Sequence, residues 1–359
     1  MSTPPDELGQ PLSEQPMLDA LTVTSTRPSP PPLSSGGPQY LRRLSMVITG
    51  NNGQGLDFSD FRVEFRIRRG DIQTPNSADI RIYNLSDNTA NLIQKEFTQV
   101  SLSAGYQTSN YGLIFTGTIC QVRKGRVDQK DSYVDITAAD GDEAYNFAPI
   151  FVSVKSGTSP DGVLNFIKAA MVEHGVSQEF GYAPNFSQNG CIRGKVLYGL
   201  ARDVMRQFAW TNSCRWSIQD GMLTVIPYAY YIPATIPIIS PTTGLIGVPE
   251  QTQGGINLRV LLNSNIRIGQ LVRLESADIN QVRMGLDIVS EGKFNIPQIL
   301  QNQTSASGLY YVMAANHTGD TRGTPWYTDL FCLSVDATVT NGDVAAPLFQ
   351  TGPVPIFRY

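Results

Sequence analysis

From Phe61 to Arg69 the chain alternates almost residue by residue. Phe61, Val63, Phe65 and Ile67 are apolar, while Arg62, Glu64, Arg66 and Arg68 are charged. Period two is the period of a strand, so the segment predicts one with a core face and a charged face. Ser77 to Ser86 (SADIRIYNLS) predicts a second strand ending in a turn. A short helix with Ala90, Ile93 and Phe97 on one face is expected next. Val100–Tyr106, Gly112–Val122 and Ser132–Asp140 then read as further strands. Turn residues at regular spacing between β-branched runs predict a closed or nearly closed barrel over residues 40–147.

The period changes over residues 148–240. Val163, Phe166, Ile167, Ala170 and Met171 recur at helical spacing. Ser159 is placed to cap that helix, Pro160 to begin it and Gly175 to end it. A second helix is predicted with Leu197, Leu200, Ala201, Val204, Met205 and Phe208 on one face. Arg215 to Ile226 reads as a hairpin turning at Asp220-Gly221, a strong two-residue turn signal. Strand patterns return over residues 241–359. Gly244–Glu250 reads as a loop, Gly255–Ser276 as two strands with Val272 and Leu274 on one side, and Gly308–Leu333 as strand, polar loop, strand. The fold class expected is mainly β with an α+β insert. Its parts are an extended Pro-rich arm (1–39), a first tube-like β-barrel (40–147), an α/β module (148–240) and a second tube-like β-barrel (241–359).

Composition sharpens this picture at three points. Residues 1–39 are rich in Pro, Ser and Thr and bury too little apolar surface to fold alone, so order there would come from lying along a neighbouring subunit. Charged residues make up only 16 % of the 359 and hydrophobic residues 41 %, against the usual charged share of about 25 %. Such a surface suits a chain buried against neighbours. The formal net charge of −4 advertises no basic stripe for nucleic acid. Cys120, Cys191, Cys214 and Cys332 form no close pair, and residues 1–15 hold no apolar leader. They read as mostly buried free thiols made in a reducing cytoplasm. The apolar stretch Tyr228–Ile239 is broken by Pro233 and Pro237 and is too short to span a bilayer.

Candidate chemistry is sparse. His174 falls at a helix end, where a cation caps carbonyls. His317 sits in the segment NHTGDTRGTPW beside Asp320 and Arg322. One His with one Asp is thin support for a catalytic or metal site, and a loop closed on its own hydrogen bonds, or a subunit contact, is the plainer reading. Asp140, Asp142 and Glu143 resemble half of a calcium loop but lack its full spacing, and read as a solvated turn. Gly50–Gly55 has no following Lys-Ser or Lys-Thr and reads as a hairpin loop. Trp210, Trp216 and Trp326 read as core or interface anchors. Arg62, Arg66, Arg68 and Arg69 form an exposed basic strand face, or alternatively a contact for an acidic partner ring. No catalytic, cofactor-binding or metal-ligating residue is assigned.

Several segments, taken in order, resemble the central baseplate hub proteins of contractile-tailed bacteriophages, the Mu-like tail hubs among them. They are SADIRIYNLS, GLIFTGTICQV, GLIGVPE with GINLRVLLNSNIRIGQLV, and GLYYVMAANHTGDTRGTPWYTDL. They cover most of Tyr40 to Leu333. Each is strand chemistry with turn residues, so the order carries the likeness more than any one string. The resemblance implies a non-enzymatic virion protein assembled in the host cytoplasm, and a homotrimer whose subunit holds two similar tube-like β-barrels. Six barrels would then join a sixfold tail tube above to a threefold central spike below. Tape measure and baseplate wedge proteins are further implied neighbours. DNA would only pass through at genome ejection, and a net acidic chain suits a channel that must not grip phosphate. The long Pro-rich arm departs from the pattern, and no appended lysozyme or spike region is read before Tyr359. A tail-associated peptidoglycan hydrolase and a receptor- or carbohydrate-binding tail protein are the alternatives. The first needs a convergent carboxylate pair or a His-metal site, the second aromatic-lined tip loops.

Overall fold

The structure is a computed structural model that describes residues 33–34, 39–50, 55–186, 190–228, 230–252, 255–275 and 307–334. Most of the 1–39 arm, the middle of the Gly50–Gly55 segment and residues 335–359 therefore lie outside the described residues. The alternating segments form strands: β1 (Leu33–Ser34), β2 (Arg42–Gly50), β3 (Gly55–Asp57), β4 (Val63–Gly70) and β5 (Ser77–Tyr83). Helix α1 (Asp87–Glu96) follows, then β6 (Phe97–Tyr106), β7 (Gly112–Arg126) and β8 (Ser132–Ala139). On β4, Val63, Phe65 and Ile67 are buried and Glu64, Arg66 and Arg68 exposed, as the alternation requires. Helix α1 starts at Ser86, whose hydroxyl accepts from the Thr89 amide, satisfying one of the amides a helix start leaves free.

The inserted region holds α2 (Asp142–Phe147), β9 (Pro149–Val154), α3 (Pro160–Val172), β10 (Phe180–Tyr182), β11 (Lys195–Leu200), α4 (Ala201–Thr211), β12 (Cys214–Gln219) and β13 (Met222–Pro227). Ser159 caps α3 by accepting from the Gly162 amide, and Pro160 opens the helix. Val163, Leu164, Ile167 and Met171 are buried in the module core, each contributing roughly 1.5–3 kcal/mol of apolar transfer. The hairpin turns at Asp220 (φ 54°) and Gly221 (φ 76°), both left-handed as a type I′ turn demands. One expectation is corrected here. Leu197 and Leu200 lie on β11 rather than on a helix, and α4 begins only at Ala201. Gly199 adopts φ 123°, a conformation no helix contains, and β11 pairs residue by residue with β9. Tertiary pairing overrides the local helical spacing.

The chain then returns to strands β14 (Ile236–Ile239), β15 (Leu245–Thr252), β16 (Gly255–Leu261), β17 (Leu271–Glu275), β18 (Ser307–Asp320) and β19 (Trp326–Ser334). Residues 245–250, expected as a loop, belong to β15. It pairs with β16 across an irregularity between Ile246 and Glu250. Gly247 (φ 75°) and Pro249 sit in that irregularity, which is why the segment reads as a loop from sequence.

One continuous sheet of 14 strands runs β1-β14-β17-β18-β4-β5-β8-β7-β6-β2-β3, with β19, β16 and β15 branching from β18. Strand β18 is the spine. Leu271–Glu275 of β17 pairs with its first part and Glu64–Gly70 of β4 with its second. Its other edge carries β19. A shift of register between Val312 and Ala314 marks where the spine passes from one half to the other. One hydrophobic core fills the half around β2–β8 and takes in Leu262 and Trp326. A second fills the half around β16–β19, and a third lies inside the module. Both halves are curved sheets around a core, and among the described residues no strand pair closes either into a full ring. No helix of the described residues is long and apolar enough to cross a membrane.

Candidate functional site

The most elaborate side-chain arrangement lies where the module hairpin meets the ends of β4, β5, β8 and β18. Arg69 is almost wholly buried. Its Nη2 lies 2.8 Å from Asp220 Oδ2 in the hairpin turn, and Nη1 donates to the Ile114 carbonyl at 3.0 Å. Asn76 donates to Ile218 O and to Gln219 Oε1, both at 3.0 Å, and accepts from the Gly70 amide. Gln219 returns a bond to Gly70 O at 2.9 Å. Asp140 accepts from the Asp220 amide at 2.6 Å and the Gly221 amide at 2.8 Å. Burial pushes its carboxyl up to about 7, against the pull of those amides.

A second cluster lies beside the first. Asp71 pairs with Arg215 of β12 at 2.9 Å and accepts from the Tyr311 hydroxyl of β18. Burial, and the Asp71 charge after it, push that phenol well above its ordinary range. Arg215 also stands 4.6 Å over the Tyr311 ring. Two buried ion pairs thus tie the module to the end of β4, and Tyr311 extends the second of them to β18. Buried pairs add little net stability, because desolvation offsets the attraction, but they fix one register.

These positions differ from the expectations in informative ways. Arg69, expected on the exposed basic face with Arg62, Arg66 and Arg68, points into the junction. Asp140, expected as a solvated turn residue, is buried and holds the hairpin turn, while Asp142 and Glu143 begin α2. His317 lies within β18, not in a loop, opposite Ile67 and Thr328. It is buried, its Nδ1 lies 2.9 Å from Thr328 Oγ1, and burial pushes it down to about 3. The loop proper, 321–325, closes on itself. Asp320 Oδ1 accepts from the Arg322 amide, and Oδ2 lies 2.8 Å from Arg62 Nη2. Burial opposes ionisation of Asp320, but the Arg62 hydrogen bond and the loop amides outweigh it and lower the carboxyl. Arg42 seals the loop by donating to Asp320 O and Thr324 O while lying 5.5 Å over the Trp326 ring.

His174 follows α3, its amide bonded to Met171 O. Trp216 and Trp326 are buried core anchors, whereas Trp210 is 73 % exposed. Cys214 and Cys332 are buried and Cys120 exposed, against the expectation of mostly buried thiols; all four are free. A cavity of about 470 Å³ opens between the turn after β4 and strands β18 and β19. Ile72, Met313, Phe331 and Leu333 make it chiefly apolar, with Arg68 and Arg69 at its wall. Among the described residues no group of three or more His, Cys, Asp or Glu is placed to share a metal.

The chain superposes on the 43 kDa tail protein of prophage MuSo2 from Shewanella oneidensis with a TM-score of 0.51, covering 82 % of this chain and 97 % of that one at 7 % identity. At such identity the likeness is one of fold alone. A tail protein from Neisseria meningitidis MC58 gives a TM-score of 0.49 at 11 % identity over 83 % of this chain and 98 % of that one. The E. coli c3393 protein, a component of the type VI secretion system, gives 0.46 at 9 % identity over 82 % and 77 %. The comparison with curated proteins finds no match. The family model of baseplate hub gp41 matches residues 43–298, well over half of the chain, and the chain belongs to that family. It is a baseplate hub protein and a structural part of a phage tail.

Proposed function

We propose that the protein acts as a homotrimer at the axis of the baseplate, where it adapts the sixfold tail tube to the threefold central spike and lines part of the DNA passage. The observation that carries this is the shared spine β18. Two curved half-sheets, each with its own core, are one hydrogen-bonded surface. A subunit that offers two similar units at fixed relative angle can present six from three copies, matching a sixfold ring. In this reading the chain divides into an arm (1–39), a first tube-like unit (40–147), the module (148–240) and a second tube-like unit (241–359). Its work is done by surfaces rather than by a reaction. Cyclic assembly requires heterologous contacts that close, and the tube, the spike, the tape measure protein and the wedges are the neighbours it would meet in the virion.

The buried charged junction fits such a role. It holds the module at one angle to the sheet, so a load applied by the spike would reach the tube-like units without loss of register. Light scattering coupled to size-exclusion chromatography tests the trimer, and symmetry in images of tail particles tests its place. Threefold density continuous with the tube is expected. A monomeric hub within an assembled tail would overturn the proposal.

A further inference from the structure

Strands β9 and β11 form a two-stranded sheet whose inner face, with Ile150, Val154 and Leu197, packs in the module core. The outer face should be polar if water covers it. It is not. Phe151 pairs with Tyr198, Pro149 with Leu200 and Ser153 with Val196. Tyr198 is 76 % exposed, Val196 68 % and Phe151 65 %, with Phe147 at the end of α2 64 % exposed. The two rings stack edge-on at 5.2 Å. The main sheet treats its exposed faces differently, lacing them with cross-strand ion pairs such as Arg81–Asp135, Arg68–Asp79 and Arg259–Asp329. Among the described residues the β9–β11 face has none, and its outward pairs are apolar.

The exposed apolar area is on the order of 500 Å² for these four side chains, near the top of what a monomer leaves uncovered. It falls short of the ~800 Å² each partner gives up in a standard protein interface, and suits an extended segment better than a second globular surface. Charge narrows the occupant further. Lys155, Arg193 and Lys195 flank one end, and residues 149–160 and 190–202 contain no carboxylate. Docking the face on its own copy would set these cations against each other. The complementary segment is in the same chain: residues 5–21 carry Asp6, Glu7, Glu14 and Asp19 and no Lys or Arg, with Leu8, Leu12, Met17, Leu18 and Leu21 interspersed. Downstream, β1 is held beside β14. The stretch from Leu21 to Leu33 spans up to ~40 Å when extended, about three quarters of the ~53 Å diameter of a compact chain of this length.

We infer that residues 5–21 of one copy dock on the β9–β11 face of an adjacent copy, acidic groups toward Lys155, Arg193 and Lys195 and leucines against Phe151 and Tyr198. The inference rests on the homotrimer reading for the presence of an adjacent copy. Zero-length carbodiimide coupling of the full-length protein tests it, since it joins carboxylates only to amines in contact. A mixture of ¹⁴N- and ¹⁵N-labelled chains is used, and the linked peptides are identified by mass spectrometry. Links from Asp6, Glu7, Glu14 or Asp19 to Lys155 or Lys195 across labels are expected. They should fall at least fivefold in Phe151→Ser/Tyr198→Ser. They should fall equally in Leu18→Ser/Leu21→Ser, which leaves the folded body untouched. Links spread evenly over Lys95, Lys124 and Lys130, links only within one label, or links unchanged by the Leu18/Leu21 variant would each overturn the inference. A trimeric mass without the expected links defeats this inference alone, whereas a monomeric mass defeats the trimer as well.

Discussion

Replacing Asp140 with Asn removes a buried charge while keeping the shape of the side chain. In the native protein burial raises the carboxyl to about 7 from its ordinary 3.8. The folded chain therefore holds a proton that the unfolded chain releases across that window. Stability must fall as pH rises wherever the native state binds more protons. The gap of roughly three pH units corresponds to about 4 kcal/mol, present below pH ~4 and lost by pH ~7. Asn has no proton to lose. Its amide end, however, faces either the Asp220 or the Gly221 amide, which now donate to the two carboxylate oxygens, and one lost bond of this kind costs about 1–3 kcal/mol. The wild type should thus be more stable at pH 4.5. The Asn variant should match or exceed it at pH 8, the two curves crossing between about pH 5 and 7. Urea unfolding followed by tryptophan fluorescence reads this directly, because Trp216 is buried in the module next to the junction. Parallel curves over the whole range would refute the account of Asp140.

Three further outcomes are expected. Arg69→Met leaves Asp220 buried with Arg267 at 3.9 Å as its remaining cation among the described residues, and should cost about 3–5 kcal/mol in urea unfolding, most of it recovered in Arg69→Met/Asp220→Asn, which removes the charge and keeps a side chain that tolerates the left-handed turn; a loss below 1 kcal/mol would contradict a buried pair. Ser159→Ala removes the cap of α3 and should cost about 1 kcal/mol, seen as a lower urea midpoint, with an unchanged midpoint as the contrary result. His317, held down to about 3 by burial, is neutral in the folded chain while the unfolded chain takes up a proton below pH ~6.5. Stability tied to it is present above that pH and lost as pH falls toward 3, so His317→Leu should flatten the acid limb of the pH profile, and an unaltered limb would count against it.

Much of the sheet is legible in the sequence because period two is strictly kept. Val63, Phe65 and Ile67, then Ala78, Ile80 and Ile82, then Val134, Ile136 and Ala138 are all buried where alternation puts them. The Asp220-Gly221 turn and the Ser159 cap follow from backbone rules that act locally. What is not local is misread. β11 carries helix-like spacing, and β15 carries Gly247 and Pro249, yet pairing partners about 45 residues upstream or a few downstream make both into strands. The junction is missed for a different reason, since its members come from four separate stretches. A signal was nevertheless present. Arg69, Asn76, Asp140 and His317 all fall on the buried parity of their strands or just beyond the strand ends. A polar residue that continues the apolar parity must find a partner indoors. Arg69 shares its charge with Arg66 and Arg68 but its parity with Phe65 and Ile67, and parity decides where it points.

The same parity rule accounts for the division of labour between the protein's surfaces. Where apolar parity is continued by polar groups, as at Arg69, Asn76 and Asp140, the result is an internal joint that admits one orientation, because a shifted docking would strand a buried charge. Where the outward parity is itself apolar, as at Phe151, Val196 and Tyr198, the side chains touch at most one another and stay largely exposed. The first arrangement makes one rigid body from sheet and module. The second leaves that body incomplete by itself. A hub of the proposed kind would need both properties, internal rigidity to keep its units in register and unsatisfied surface to recruit what surrounds it. Opposite parities of the same strand chemistry would provide them.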